Sequence, residues 1–222
     1  MRSRSTAAAA LAFVALAAHA GEATRPRPVP PERAAKPIAS VPLANPGFES
    51  GASGATGAPE GWLAGQHAGA VSYTFTLDAE SSRTGQRSLR IDNVGPEPYG
   101  TVDQSIDASP LRGKTLRFSA WLRTRDVTGN RFGNGAGLRL QTMRGGYVVE
   151  QAQMRGDAVA GTTDWARYEV RLRVADTTEQ IDVGVHLFGP GTVWVDDAAL
   201  DVVDAAVPTR GGAGTAGTAA RP

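Results

Sequence analysis

Alternation with period two runs through most of the middle of the chain. Leu116, Phe118, Ala120 and Leu122 interleave with Thr115, Arg117, Ser119, Trp121 and Arg123, and Leu138 and Leu140 interleave with Arg139 and Gln141. Tyr168, Val170, Leu172 and Val174 alternate with Arg167, Glu169, Arg171 and Arg173, as do Ile181, Val183, Val185 and Leu187 with Asp182, Gly184, His186 and Phe188. Successive strand side chains point to opposite faces, so each run predicts a half-buried antiparallel strand, one face to the core and one to water. Turn clusters separate the runs, among them Asn93-Val94-Gly95-Pro96, Gly129-Asn130, Gly145-Gly146 and Gly189-Pro190-Gly191. This punctuation predicts an all-β fold of two packed antiparallel sheets. No segment carries a helical stripe long enough to cover a parallel sheet.

The pattern fades at both ends. Residues 1–20 place Arg2 and Arg4 before an apolar run that closes on Ala18-His19-Ala20, the layout of a secretory signal peptide cleaved near Ala20. That run is shorter than the roughly 20 residues a membrane span needs. The expectation is therefore an exported protein, periplasmic or extracellular, with no transmembrane span. Residues 21–40 are rich in Pro, Ala and charge and read as a linker, and residues 204–222 read as a disordered Gly/Ala tail. Between them, 41–203 is long enough for one domain with its own core.

Charge and composition narrow the chemistry. The chain carries 23 Lys and Arg against 22 Asp and Glu, and loss of the signal peptide would remove two arginines, leaving a net charge of −1. Nothing in that balance favours nucleic acid as a partner. The absence of cysteine excludes disulfides, thiolate metal sites and a cysteine nucleophile. No Gly-x-Ser-x-Gly elbow, His-rich metal motif or phosphate-cradling loop occurs, so a non-enzyme is expected, with a hydrolase built from distant carboxylates as a minor alternative.

The stretch Gly191 to Leu200 sets Asp196 and Asp197 side by side inside a strand. One of the two must point toward what the strand buries, and a buried carboxylate needs hydrogen bonds or a cation. By strand parity Asp196 shares the face of Ala198 and Leu200 and is expected on the core side. Asp197 is expected to point outward.

The order of motifs adds a family likeness. Asn45-Pro46-Gly47-Phe48-Glu49-Ser50-Gly51 is followed by Gly61-Trp62, Gly85-Gln86-Arg87-Ser88-Leu89-Arg90-Ile91, Val102-Asp103-Gln104, the strand from Leu116 to Arg123, Trp165-Ala166-Arg167-Tyr168 and Val193-Trp194-Val195-Asp196-Asp197. This series resembles the jelly-roll carbohydrate-binding modules of the family 4, 9 and 22 type, within the galactose-binding-like β-sandwiches. The resemblance implies a jelly-roll sandwich, a carbohydrate ligand and a structural Ca2+ held by Glu49 and Asp196. Calcium accepts six to eight oxygen ligands, backbone carbonyls included. Backbone N–H groups or an arginine are the alternative partners for Asp196.

For a sugar face, Trp121 stands out as an outward tryptophan on a polar strand face beside Arg117 and Arg123. If the strands concerned share a sheet, Trp121, Arg117, Arg139, Gln141 and His186 would form one ligand-binding patch, with Tyr99, Gln104 and Tyr147 as weaker additions. The competing reading has arginine stems packed over Trp121. On that reading the sandwich is a structural or protein-interaction module without sugar binding.

Overall fold

The structure, a computed structural model, describes residues 28, 36–51, 57–154 and 156–205. The expected signal peptide lies outside these residues, as do most of the linker and nearly all of the C-terminal tail. Eleven strands form: β1 (Ala39–Val41), β2 (Leu63–Gln66), β3 (Tyr73–Asp78), β4 (Ser88–Asn93), β5 (Tyr99–Asp107), β6 (Thr115–Val127), β7 (Ala136–Arg144), β8 (Tyr147–Gln153), β9 (Gly161–Arg173), β10 (Gln180–Phe188) and β11 (Thr192–Val203). The only helical element among the described residues is a short 3-10 turn at Ser109–Leu111, with Pro110 at its start.

The strands pair into two antiparallel sheets, the all-β sandwich expected from the alternation. One follows the order β3-β4-β11-β6-β9, with β1 added beside β11, and the other the order β2-β5-β10-β7-β8. The structured domain starts slightly before residue 41, because Ala39 and Ser40 already pair with Val202 and Asp201. The predicted inward residues meet between the sheets: Leu116, Phe118, Ala120 and Leu122 from one, Leu138, Leu140, Ile181, Val183 and Leu187 from the other, all essentially inaccessible to water. Truncating any of the larger ones to alanine would cost about 2–5 kcal/mol.

The strand carrying the two aspartates departs from simple parity. The register of β11 against β6 shifts between Asp196 and Ala199, and Asp197 takes a positive φ of 50°. Before this bulge Val193 and Val195 fill the core and Trp194 and Asp196 point to the outer face; beyond it Leu200 and Val202 point inward again. Asp196 is thus buried, as expected, but on the outer side of its sheet beneath the loop around residue 84, because the extra residue inverts the alternation.

The Asn45–Gly51 motif closes this end of the sandwich. The Asn45 amide spans the turn, donating to the Ser50 carbonyl at 2.6 Å and accepting from the Ser50 N–H at 3.1 Å. Phe48 is fully buried with its ring 5.1 Å from that of Trp62. The bulge is tied to the motif by the Ala198 N–H, which donates to the Pro46 carbonyl at 2.9 Å. Gln104 is buried here too. Its amide binds both the N–H and the carbonyl of Ala44 and the carbonyl of Gly61, so it anchors the N-terminal segment and does not face a ligand.

Candidate functional site

The sequence-derived patch divides between the two sheets. Trp121 and Arg117 lie on β6, in the six-stranded sheet, whereas Arg139 and Gln141 on β7 and His186 on β10 belong to the five-stranded sheet. Two sheets packed face to face present their outer surfaces in opposite directions, so these five residues form no single platform. Alternation fixes which residues share a face of one strand; it does not fix which strands become neighbours.

Arg117 and Trp121 are also occupied. Arg117 is buried and donates from Nη2 to Asp201 Oδ2 at 2.7 Å. The Arg83 guanidinium lies 4.2 Å from the centroid of the Trp121 ring. The competing reading of Trp121, arginine packed over its face, is the arrangement found.

Arg139, Gln141 and His186 do come together, on the outer face of the five-stranded sheet. Cross-strand register sets Asp103, Gly184 and Arg139 at one level, Ser105, Asp182 and Gln141 at the next, and Thr101, His186 and Gly137 on the other side. Gly184 makes this level possible. A Cβ there would come 1.9 Å from Asp103 Oδ1, so the missing side chain lets Asp103 and Arg139 reach each other across β10, with Nη2 and Oδ1 2.5 Å apart. One level along, Asp182 accepts from Ser105 Oγ at 2.8 Å, Gln180 Nε2 at 2.7 Å and Gln141 Nε2 at 3.1 Å.

Aromatic rings occupy the other end of this face. The Phe188 ring stands 4.9 Å from His186 and 5.6 Å from Tyr99, and Tyr99 stands 5.5 Å from His67, which pairs with Glu97 at 2.8 Å. Residues 129–135 close over this end: Gly133 abuts the Phe188 ring, where a Cβ would lie 2.5 Å from Cδ2, and Asn130 Nδ2 donates to the Pro98 carbonyl at 2.7 Å. His186 is buried beside Met154 and Gly137. Gln151 and Gln153 of β8 face Gln141 and Arg139 and extend the polar floor toward the sheet edge, where Tyr147 and Val148 are exposed.

The electrostatics of the floor are unusual. Burial raises the Asp103 carboxyl above the ordinary aspartate value and the Asp182 charge adds to the rise, outweighing the Arg139 charge and hydrogen bonds from Arg139 and Thr101. The result is a row of planar polar groups in which Asp103 and Arg139 are partly exposed and Gln141 and Asp182 are buried, beside the partly exposed Tyr99 ring and the buried rings of His186 and Phe188. Its exposed part can meet hydroxyls, and Tyr99 an apolar ring face. Asp103, Ser105, Gln180, Asp182 and Gly184 were not singled out by the sequence as site residues. The available signal was Gly184, a lone glycine inside an otherwise regular alternation, which marks close approach of another group.

The residues expected to hold calcium converge on one loop. Glu49 Oε1 accepts the N–H groups of Gln86 at 2.9 Å and Arg87 at 3.3 Å. Asp196 Oδ2 accepts those of Arg83 at 2.8 Å and Thr84 at 3.1 Å, and its Oδ1 accepts the N–H of Asp197. Burial raises the Asp196 carboxyl above the ordinary value, the three N–H groups lower it, and the neighbouring Asp197 charge raises it again. Asp197 itself accepts from Thr84 Oγ1 at 2.6 Å.

Comparison with known proteins places the chain by fold. No family model matches it. The uncharacterized HTH-type transcriptional regulator YbfP of Bacillus subtilis (strain 168) is 29% identical over 157 residues, 68% of this chain and 50% of that protein. The chain thus spans half the length of this curated relative. Among solved structures, the enzymatically active domain of tailspike protein 4 from bacteriophage CBA120 is similar with a TM-score of 0.52 at 14% identity, over 75% of this chain and 22% of that one. The Stig cyclase Fisc from Fischerella sp. TAU gives 0.51 at 14% identity, over 74% and 98%. A carbohydrate-binding module, TmCBM61 in complex with β-1,4-galactotriose, gives 0.48 at 17% identity, over 72% and 97%. The likeness to the tailspike domain and the Stig cyclase is one of fold alone.

Proposed function

We propose that the chain is an exported, non-catalytic binding module that holds a carbohydrate on the outer face of its five-stranded sheet. The observation that carries this reading is the row Asp103, Arg139, Gln141 and Asp182, of which Asp103 and Arg139 are partly exposed and joined over Gly184, beside the partly exposed Tyr99 ring. Both carboxylates are already engaged by neighbouring donors, which suits hydroxyl recognition better than proton transfer. The family likeness of the motif series supports the same ligand class.

The test is a glycan array and insoluble-polysaccharide pull-down with residues 36–205, wild type beside Arg139→Ala, Tyr99→Ala and Trp121→Ala. Binding is expected in wild type and Trp121→Ala, and a loss of about tenfold is expected in the other two, from a hydrogen bond to a charged group at Arg139 and from a stacked ring at Tyr99. Binding destroyed by Trp121→Ala and kept by Arg139→Ala would overturn the site assignment. If no glycan is retained by any form, the protein-interaction reading takes precedence. Its place would be the exposed edge of β8, where Tyr147, Val148 and Val149 are 78%, 46% and 44% accessible.

Calcium belongs to the same proposal as an addition to the corner held by Glu49 and Asp196. Two carboxylates distant in sequence grip one loop, and the burial that raises Asp196 is a penalty a bound cation would relieve. Four loop N–H groups, those of Arg83, Thr84, Gln86 and Arg87, already join these carboxylates to the loop, so the ion would tighten a corner that folds without it. Calcium is expected to raise the melting temperature by a few degrees and a chelator to reverse the gain, with the effect removed in Glu49→Gln. An identical melting temperature with calcium and chelator would remove the ion from the reading while leaving the glycan face in place.

A further inference from the structure

We propose that Arg83, Arg123 and Arg125 form a second binding site, on the outer face of the six-stranded sheet, for a polysaccharide bearing fixed oxyanion groups. The site lies on the opposite side of the sandwich from the proposed sugar face; the oxyanion follows from its own residues, and that the oxyanion is carried on a polysaccharide rests on the carbohydrate reading. Its basis is three guanidinium groups held in place by tryptophan and left without a carboxylate.

Trp121, Arg123 and Arg125 are consecutive outward positions of β6, and the register sets Arg123 beside Trp194 and Arg125 beside Thr192. The guanidinium groups of Arg123 and Arg125 lie 5.3 and 5.1 Å from the centroid of the Trp194 ring, and that of Arg83 lies 4.2 Å from Trp121. Stacking on an aromatic face fixes a guanidinium's plane and removes freedom it would otherwise lose on binding. Arg83 and Arg125 are exposed and Arg123 is partly so.

The carboxylates near these groups are committed elsewhere. Asp78 and Asp92 both pair with Arg90, and Asp78 also accepts from the Trp194 indole N–H at 2.8 Å. The Asp196 oxygens accept three backbone N–H groups, and Asp197 accepts from Thr84. Among the described residues, none of Arg83, Arg123 and Arg125 enters an ion pair. Arg123 donates to Ser81 Oγ at 2.9 Å and Arg125 to Thr192 Oγ1 at 3.5 Å, neutral acceptors that leave most of the five N–H donors of each group available.

Three such cations side by side repel one another unless an anion joins them, and the geometry that suits a guanidinium is a two-oxygen group such as sulfate or carboxylate. Nucleic acid fits less well, because guanidinium groups cover the tryptophan rings on which exposed bases would stack. The near-zero net charge of the chain means that any such binding is local to this face.

The test measures binding of the full chain to heparin, which supplies sulfate, and to polygalacturonate, which supplies carboxylate, across a range of salt. The proteins are wild type, Arg83→Gln, Arg125→Gln, the triple Arg83→Gln/Arg123→Gln/Arg125→Gln, and Arg144→Gln, which removes one exposed charge from the other sheet. Wild type is expected to bind at least one polymer in a salt-dependent way, and the polymer retained identifies the oxyanion. Each single variant on the face should weaken binding about tenfold, the triple should abolish it, and Arg144→Gln should leave it unchanged. Should the triple variant fail to fold, the Arg83→Gln result decides, since that side chain projects from an exposed loop. Retention of neither polymer, or equal losses in Arg83→Gln and Arg144→Gln, would overturn the proposal.

Discussion

On the six-stranded sheet, Trp121 and Trp194 of the outer face both lie against guanidinium groups; on the five-stranded sheet, the outward rings of Tyr99, Phe188 and His186 lie against one another. The first arrangement covers apolar surface with stacked cations and binds the nearby acids Asp78 and Asp92 into ion pairs with Arg90. The second gathers rings at one end and leaves the polar residues to form a row across a glycine. Similar residue types on similar strands therefore yield one face whose tryptophans are stitched over by arginines, the second proposed site, and one face opened by a glycine, the proposed carbohydrate site. The difference comes from what sits at the middle of each sheet. β11, between β4 and β6, carries Trp194 on its outer face, whereas β10, between β5 and β7, carries Gly184, and the glycine leaves room for Asp103 and Arg139 to meet above it.

The sharpest way to break this contrast is to attack the stitched face where it is most deeply buried. Asp201→Ala removes the carboxylate from the buried Arg117 guanidinium, 2.7 Å away. A loss of about 3–5 kcal/mol is expected in chemical denaturation, with carbohydrate affinity unchanged per folded molecule. A loss below 1 kcal/mol would show that this face contributes little to holding the sandwich together.

Gly184→Ala attacks the other face. The new Cβ would collide with Asp103 Oδ1 and would lie 2.7 Å from the Val102 carbonyl oxygen, so the ion pair must open or the strands must shift. The expected effects are about 1–3 kcal/mol of destabilisation and loss of carbohydrate binding, even in samples shown to be folded by their near-ultraviolet circular dichroism. Trp121→Ala should do the reverse on a smaller scale: about 1–2 kcal/mol lost with the Arg83 stack and the packing beneath it, and sugar affinity within twofold of wild type. If the two substitutions had the same pattern of effects, the division of labour between the faces would be wrong.

This division was only half visible in the amino-acid sequence. Alternation identified the inward residues of β6, β7, β9 and β10 correctly, because burial of one face imposes a period of two whatever the neighbours are. It also made Trp121, Arg139, Gln141 and His186 outward, which they are. It could not place β6 and β7, consecutive in the chain, in different sheets, because that is settled by pairings between distant segments such as β6 with β11 and β10 with β5. The inversion at Asp196 was hidden for a local reason: a bulge needs one residue that tolerates an unusual φ, and Asp197 supplies it without any glycine to signal the break. The likeness of the motifs singled out Glu49 and Asp196 together as calcium ligands; that both accept N–H groups of the 83–87 loop was not legible in it.

The most delicate separation of the two faces is by pH, because an aspartate on each is displaced in the opposite direction. Burial alone would raise Asp78, on the stitched face, but hydrogen bonds from the Trp194 indole, the Glu80 N–H and Arg90, with the Arg90 charge, bring it below the ordinary value. Its contribution to stability is present above the ordinary value near 3.8 and is lost as pH falls through the lower folded value. Asp103, on the open face, is raised by burial, so the folded protein holds its proton more tightly than the unfolded chain does. Its contribution is complete below 3.8 and is lost as pH rises through the higher folded value. Melting temperatures of wild type, Asp78→Asn and Asp103→Asn, followed from neutral to acid pH, should therefore diverge in opposite senses. The deficit of Asp78→Asn relative to wild type should be largest at neutral pH and close below pH 3.8, whereas wild type should gain on Asp103→Asn as the solution is acidified. Parallel curves for the two variants would mean that Arg139 compensates Asp103 as fully as Arg90 compensates Asp78. The open face would then be as tightly stitched as the other.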